Sequence, residues 1–131
     1  MKTTGGKGLH IVVPFLRGPS WDEAFEFSKS IAERMAEDDP ERYTVDFDRE
    51  KRIGRILIDY KRNYRTSIAV AGYSTRARPE ATLSVPVRWE ELSALKPETL
   101  TLAMVRRRLE LRTGDPWRGY GDARQRLPPI E

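Results

Sequence analysis

The sequence predicts an α/β (α+β) fold, a mixed or mostly antiparallel sheet with flanking helices, on three observations. Short apolar runs with a period near two, such as Gly8 to Phe15, Arg55 to Tyr60 and Thr82 to Val87, are bounded by Gly, Pro and charged residues in the manner of strands. Apolar residues recur at three- and four-residue spacing from Trp21 to Met35, and again after Pro97, as on the packing face of a helix. A length of 131 residues is enough for one core but short for two.

The elements follow in order. Thr3-Thr4-Gly5-Gly6-Lys7-Gly8 is a glycine-rich turn feeding a strand that puts Leu9, Ile11 and Val13 on one face and His10 and Val12 on the other, until Pro14 and Gly18-Pro19 end it. Ser20 with Glu23 three residues on makes a capping box. The helix it starts packs through Trp21, Ala24, Phe25, Ser28, Ile31, Ala32 and Met35, is acidic on its other face, and ends near Asp38-Asp39-Pro40. Thr44 to Asp48 is a short strand or extended loop. The clearest strand is Arg55 to Tyr60, closed by Asp59, whose carboxylate needs a cation there. Thr66 to Ala71 is a further strand, and Thr82 to Val87 an edge strand because Pro86 has no N–H to donate. Trp89 to Leu92 is a short helical turn. A helix from Pro97 to about Leu111 turns Leu102, Val105 and Leu109 inward and Arg106, Arg107 and Arg108 outward. The tail from Thr113 to Glu131, rich in Gly, Pro and Arg, is expected to be extended or partly disordered.

Composition narrows the function classes. Without cysteine there is no disulfide framework, thiolate metal site or cysteine nucleophile, and any metal must sit on carboxylates or on the single histidine. No apolar run approaches the roughly 18 residues that span a bilayer, and no charged-then-apolar leader opens the sequence, so a cytoplasmic location without membrane contact is expected. The net charge of +4 conceals an asymmetry: residues 21–48 carry ten acidic and three basic side chains, residues 49–78 two acidic and nine basic. The basic segment, with Arg52, Arg55, Lys61 and Arg62, is the candidate surface for phosphate or DNA, against the alternative of a merely solvated hairpin.

The glycine turn is a candidate anion cradle. Its backbone N–H groups can approach a phosphate, Lys7 adds charge, Thr4 adds a hydroxyl, and His10 follows on the strand. Lys7 lacks the spacing and the following Ser or Thr of a P-loop. Gly5-Gly6-Lys7-Gly8 satisfies the GxxG loop of KH domains, but here the loop precedes a strand.

Three blocks in one order, Gly5-Gly6-Lys7-Gly8-Leu9-His10, Gly54-Arg55-Ile56-Leu57-Ile58-Asp59-Tyr60 with Arg62-Asn63, and Tyr73-Ser74 with Arg76-Ala77-Arg78-Pro79, together resemble the second half of the polymerase domain of bacterial ATP-dependent DNA ligase D, in the archaeo-eukaryotic primase superfamily. The resemblance spans roughly residues 3–95 and makes residues 1–112 the C-terminal, nucleotide-binding part of a primase-polymerase catalytic core, with residues 113–131 as a tail. It implies that Thr4, standing where the family usually has serine, and Gly5, Lys7, Gly8 and His10 bind the triphosphate of an incoming nucleotide together with Arg76 and Arg78. Asp59 is implied as a catalytic carboxylate that binds Mn²⁺ or Mg²⁺. It further implies action at DNA ends in double-strand break repair by end joining, in a bacterial cytoplasm beside the nucleoid, with a ligase, an end-binding protein or a separate N-terminal polymerase half as partners.

The family's first motif, an Asp-x-Asp pair on a strand before the glycine turn, has no counterpart here, so three expectations stand open: a fragment of a longer polymerase domain, a half completed by a separate polypeptide, or a domain that has lost the activity. Asp46-Phe47-Asp48 is itself an Asp-x-Asp, either a metal pair acting with Asp59 or a solvated turn countering Arg49, Lys51 and Arg52. The alternative function is a non-catalytic nucleotide- or nucleic-acid-binding module.

Overall fold

A computed structural model describes residues 1–128; of the tail, positions 129–131 lie outside the described residues. The described chain divides into two compact units, one from residues 1–15 and 70–124, the other from residues 16–69 and the segment that begins at Gln125. Among the described residues the secondary structure is mixed, with two two-stranded sheets and two α-helices, an α+β composition.

In the first unit, β1 (Lys2–Thr3) pairs antiparallel with β2 (Leu9–His10), Lys2 opposite His10 and Thr3 opposite Leu9. The other edge of β1 is taken by the 85–87 backbone: Thr3 N–H donates to Val85 O at 2.9 Å and Val87 N–H to Met1 O at 3.2 Å. Pro86 sits in an isolated bridge to Lys2, so its missing N–H interrupts the ladder and Thr82 to Val87 stays short of a regular strand. The core consists of Leu83, Val85, Leu100 and Val105, with Leu95 packed against it.

Buried hydroxyls supply the bonds that the short ladders lack. Val85 N–H donates to Thr3 Oγ1 at 2.8 Å, Thr3 Oγ1 donates to Leu83 O at 3.2 Å, and Ser84 Oγ donates to Thr3 O at 2.6 Å. Every buried side-chain nitrogen and oxygen among the described residues has a partner, as a low-dielectric interior requires.

The helix expected from Pro97 is split. A 3-10 turn, Pro97–Thr99, gives way at Leu100, whose backbone is not helical, and α2 (Leu102–Leu111) begins afresh. Leu100 thereby enters the core in place of Leu102, which is 69% exposed, and Leu109, 39% exposed, is also not inward as expected. The helix meets the core at Val105 alone. The Trp89–Glu91 turn forms as expected. Beyond α2, residues 115–123 make successive turns, and Trp117 Nε1 donates to Met1 O at 2.8 Å while its ring stacks on Tyr120.

In the second unit, α1 (Trp21–Asp38) starts at Ser20 with the full capping box: Glu23 N–H donates to Ser20 Oγ at 3.2 Å, and Ser20 N–H to Glu23 Oε2 at 2.7 Å. It buries Ala32 and packs on β3 (Tyr43–Thr44) and on the 3-10 turn Lys61–Asn63; Trp21, Ile31 and Met35, expected to pack, remain substantially exposed. β3 runs parallel to β4 (Ile56–Leu57), with Tyr43 opposite Ile56 and Thr44 opposite Leu57. Parallel pairing stops there, and after Ile58 donates to Thr44 O the chain turns into Lys61–Asn63, so the six-residue strand expected over Arg55 to Tyr60 is cut to two. Thr66 to Ala71 finds no strand partner and stays irregular. Phe25 meets Tyr60 and Tyr64 edge-on at 5.5 and 5.4 Å, and Phe47 meets Tyr60 at 6.2 Å. These rings supply the apolar contact that a longer sheet would otherwise have provided.

Candidate nucleotide site

The glycine turn of the first unit is closed by its own threonine. Thr4 N–H and Thr4 Oγ1 both donate to Gly8 O, at 3.0 and 3.1 Å, and Gly6 N–H donates to Thr4 Oγ1 at 3.2 Å. Gly5 takes φ +69°, the left-handed region, and its carbonyl accepts from Thr82 Oγ1 at 2.7 Å. The turn is therefore anchored at both ends before any ligand arrives.

Arg76 and Arg78 come to this turn. A Cβ on Gly5 would collide with Arg76 Cγ, and one on Gly6 would lie 3.2 Å from Arg78 Nη2 and 3.4 Å from Cζ. Glycine is required at Gly5, where the left-handed φ and Arg76 Cγ both exclude a side chain, whereas at Gly6 the end of the Arg78 side chain would need to give only slightly. The Arg78 guanidinium thus lies against the loop whose amides can face an anion, with the Arg76 side chain crossing beside it. The two arginines are held by their own turn: Arg76 N–H donates to Thr82 O at 2.9 Å, Arg78 N–H to Arg76 O at 2.8 Å, and Ala81 N–H closes it on Arg78 O. Lys7 projects from the turn into solvent, and His10 lies on β2 opposite Lys2.

Of the sequence-predicted site residues, Thr4, Gly5, Gly8, Arg76 and Arg78 are gathered, with Lys7 and His10 on the same turn and strand. Asp59 belongs to the second unit, as do Arg52, Arg55, Lys61 and Arg62. Asp59 lies past the end of β4 with its side chain 37% exposed; its Oδ1 accepts from Lys61 N–H at 3.0 Å and its Oδ2 lies 3.8 Å from Arg62 Nε. The cation expected for it is Arg62. Arg55 instead donates to the carbonyls of Lys51 and Pro40, and Lys61 Nζ stands 4.0 Å above the Phe47 ring.

Asp46 and Asp48 form two successive Asx turns, Asp46 accepting from Asp48 N–H and Asp48 from Glu50 N–H, with Lys51 Nζ 3.4 Å from Asp46 Oδ2. The hydrogen bond from Asp48 N–H holds the Asp46 carboxyl below its ordinary range, outweighing the opposing effect of burial, and Lys51 and Arg55 act in the same direction. This is the solvated-turn arrangement. No group of three metal-ligating side chains occurs among the described residues. Asp59 is therefore not joined by two further such side chains, and a magnesium or manganese ion takes several oxygen ligands.

Lys2 was not legible as a site residue. It lies on β1, nearly fully buried, and donates to Val70 O and, at 3.2 Å, to Ser84 Oγ. Burial, and then the nearby Arg76 charge, lower its pKa. A two-residue strand of alternating Lys and Thr carries no apolar signal that would have announced burial.

The family model for the LigD primase-polymerase domain matches residues 1–117, which carry the glycine turn and both arginines. The chain belongs to the LigD primase-polymerase family. Among its relatives, the Multifunctional non-homologous end joining protein LigD of Pseudomonas aeruginosa is 42% identical over 97% of this chain and 15% of the relative. The LigD protein of the same description in Mycolicibacterium smegmatis is 29% identical over 70% of the chain and 12% of the relative. The Bifunctional non-homologous end joining protein LigD of Bacillus subtilis is 27% identical over 79% of the chain and 17% of the relative. The chain thus spans less than a fifth of the length of each LigD protein named here.

Proposed function

We propose that the chain forms the nucleotide-binding part, residues 1–112, of a metal-dependent DNA polymerase or primase-like nucleotidyltransferase that acts at DNA ends in double-strand break repair by end joining. The observation that carries this reading is the closed turn at Gly5 and Gly6 with Arg76 and Arg78 lying across it. A triphosphate is a dense anion, and clustered guanidinium groups beside oriented backbone amides suit it. Thr4, Gly5, Lys7, Gly8 and His10 form one wall of that site and Arg76 and Arg78 the other. Phosphoryl transfer is mainly a matter of such positioning and charge, with metal ions neutralising the developing charge when bound. In this reading Asp59 contributes one metal-binding carboxylate and the remaining ligands come from outside the described residues. DNA, a ligase, an end-binding protein and an N-terminal polymerase half are the partners it implies, in the bacterial cytoplasm. No helix of the described residues is long and apolar enough to cross a membrane.

The test is binding of a fluorescent deoxynucleoside triphosphate in the presence of Mn²⁺. Arg76→Ala and Arg78→Ala are each expected to weaken binding by about tenfold, the scale of one lost charge-assisted contact. Binding unchanged by both substitutions would remove the reading. A second reading, a non-catalytic nucleotide- or nucleic-acid-binding module, is favoured by one observation: both Asp59 oxygens already face protein donors. Triphosphate affinity that is the same with and without Mn²⁺, and in Asp59→Ala, would select it.

A further inference from the structure

A second cationic pocket lies in the first unit, and none of the nucleotide-site residues assigned above lines it. It is an open cavity of about 350 Å³ whose wall includes Tyr73, Arg88, Glu91, Arg108 and Arg112, with Val85, Pro86 and Leu109 among its apolar lining. The charge in it is unbalanced. Its one carboxylate, Glu91, is already committed: Oε1 accepts from Arg108 Nη2 and Oε2 from Arg88 N–H at 2.7 Å. Burial alone would raise the Glu91 pKa, but these bonds together with the Arg108 and Arg88 charges bring it below the ordinary value. Arg88 and Arg112 make no ion pair among the described residues.

The pocket is also built around an aromatic ring. Arg112 Nη1 donates to Tyr73 Oη at 3.3 Å, and the Gly114 backbone comes so near Arg88 that a Cβ there would lie 3.3 Å from Nη2. Tyr73 itself has φ +65°, a left-handed conformation unusual for a bulky residue. It is kept there by Tyr73 N–H donating to Ser84 O at 2.5 Å and Ser84 N–H to Ser74 O at 2.9 Å. Tyr73, 40% exposed, thus stands with two arginines that form no ion pair among the described residues, in a pocket whose single carboxylate is bonded to Arg108 and to the Arg88 backbone.

We infer that this pocket binds a single-stranded segment of nucleic acid, Arg88 and Arg112 taking backbone phosphate and Tyr73 offering its ring to a base. Phosphate needs cations without internal carboxylate partners, and a base needs an aromatic face, and the two stand together here. The cavity has the volume of a small-ligand pocket, enough for a nucleotide unit. The inference rests on reading the chain as acting on nucleic acid, but uses none of the residues of the triphosphate site.

The experiment titrates a fluorescein-labelled single-stranded DNA of about twelve nucleotides, within the span of known single-strand sites, against the chain at several salt concentrations. Arg88→Ala with Arg112→Ala is expected to lower affinity about tenfold and to reduce the log–log salt slope by about one to two. Arg→Lys at both positions should retain most of the slope, and Tyr73→Leu should weaken binding with the slope unchanged. Circular dichroism of each variant confirms folding, and triphosphate binding at the glycine turn should not move. An oligonucleotide curve unaffected by the double substitution overturns the inference. So does a loss confined to inorganic phosphate, which would make the occupant a free anion. Loss of triphosphate binding in Arg76→Ala is read separately, so the two proposals fail independently.

Discussion

At Gly5 the backbone conformation and the neighbouring side chain make the same demand. A φ of +69° is strained for any L side chain, and Arg76 Cγ occupies the space a Cβ would need. Gly5→Ala is therefore expected to cost about 1–3 kcal/mol, the range for a non-glycine residue forced into that region, measured by urea denaturation. It should also weaken triphosphate binding, because Arg76 must move. Lys2 gives a prediction with a sign. Its pKa is lowered in the folded chain by burial and then by Arg76, so between that value and the ordinary 10.5 the unfolded chain binds more protons. Stability carried by Lys2 therefore rises as pH climbs through that window and is at its least below it. Relative to Lys2→Met, the wild type should gain melting temperature from neutral pH toward about pH 10.5, the ordinary lysine value. A difference that is flat with pH would show that the lysine pays no such desolvation penalty.

Elements in this chain are defined by their ends more than by their interiors. The helix α1 was legible to within a residue or two because Ser20, Glu23 and Pro40 are local signals acting over three or four residues. Ser20→Ala removes the acceptor for Glu23 N–H and is expected to destabilise the chain by about 1 kcal/mol, while Ser20→Asp, which restores an acceptor, should recover most of it in the same thermal melt. The strands were legible as apolar runs but not as to length. Nothing within Arg55 to Tyr60 announces that β4 ends at Leu57; that depends on where β3 stops offering partners. Similarly, Pro97 marked a helical start, but Leu100 leaves the helix because the Leu83, Val85 and Val105 cluster takes its side chain. A period in the sequence shows which face is apolar, and only the neighbour shows whether that face is used.

Across the whole chain, the basic segment 49–78 divides between the two units, Arg76 and Arg78 in one and Arg52, Arg55, Lys61 and Arg62 in the other. Contacts from the second group should be to the nucleic-acid backbone and therefore insensitive to sequence. Arg52→Ala with Arg62→Ala is expected to reduce double-stranded DNA binding for all sequences alike and to lower the salt slope by about two, read from filter binding at several salt concentrations. Unequal losses between unrelated sequences would argue against backbone contact.

By itself the sequence determined the α+β character and the capped helix, and it named the candidate residues for phosphate chemistry, because glycine turns, caps and charge runs are local and keep their meaning wherever the chain goes. Only the tertiary structure decided that Arg76 and Arg78 lie across the glycine turn, and that Asp59 meets Arg62 at the end of a two-residue strand. It also decided that Lys2 is buried and that Arg88, Arg112 and Tyr73 share a pocket. Those are encounters between residues up to 82 positions apart, such as Lys2 and Ser84. Their partners are chosen by packing and by the need to satisfy buried polar groups, which no short window of sequence contains.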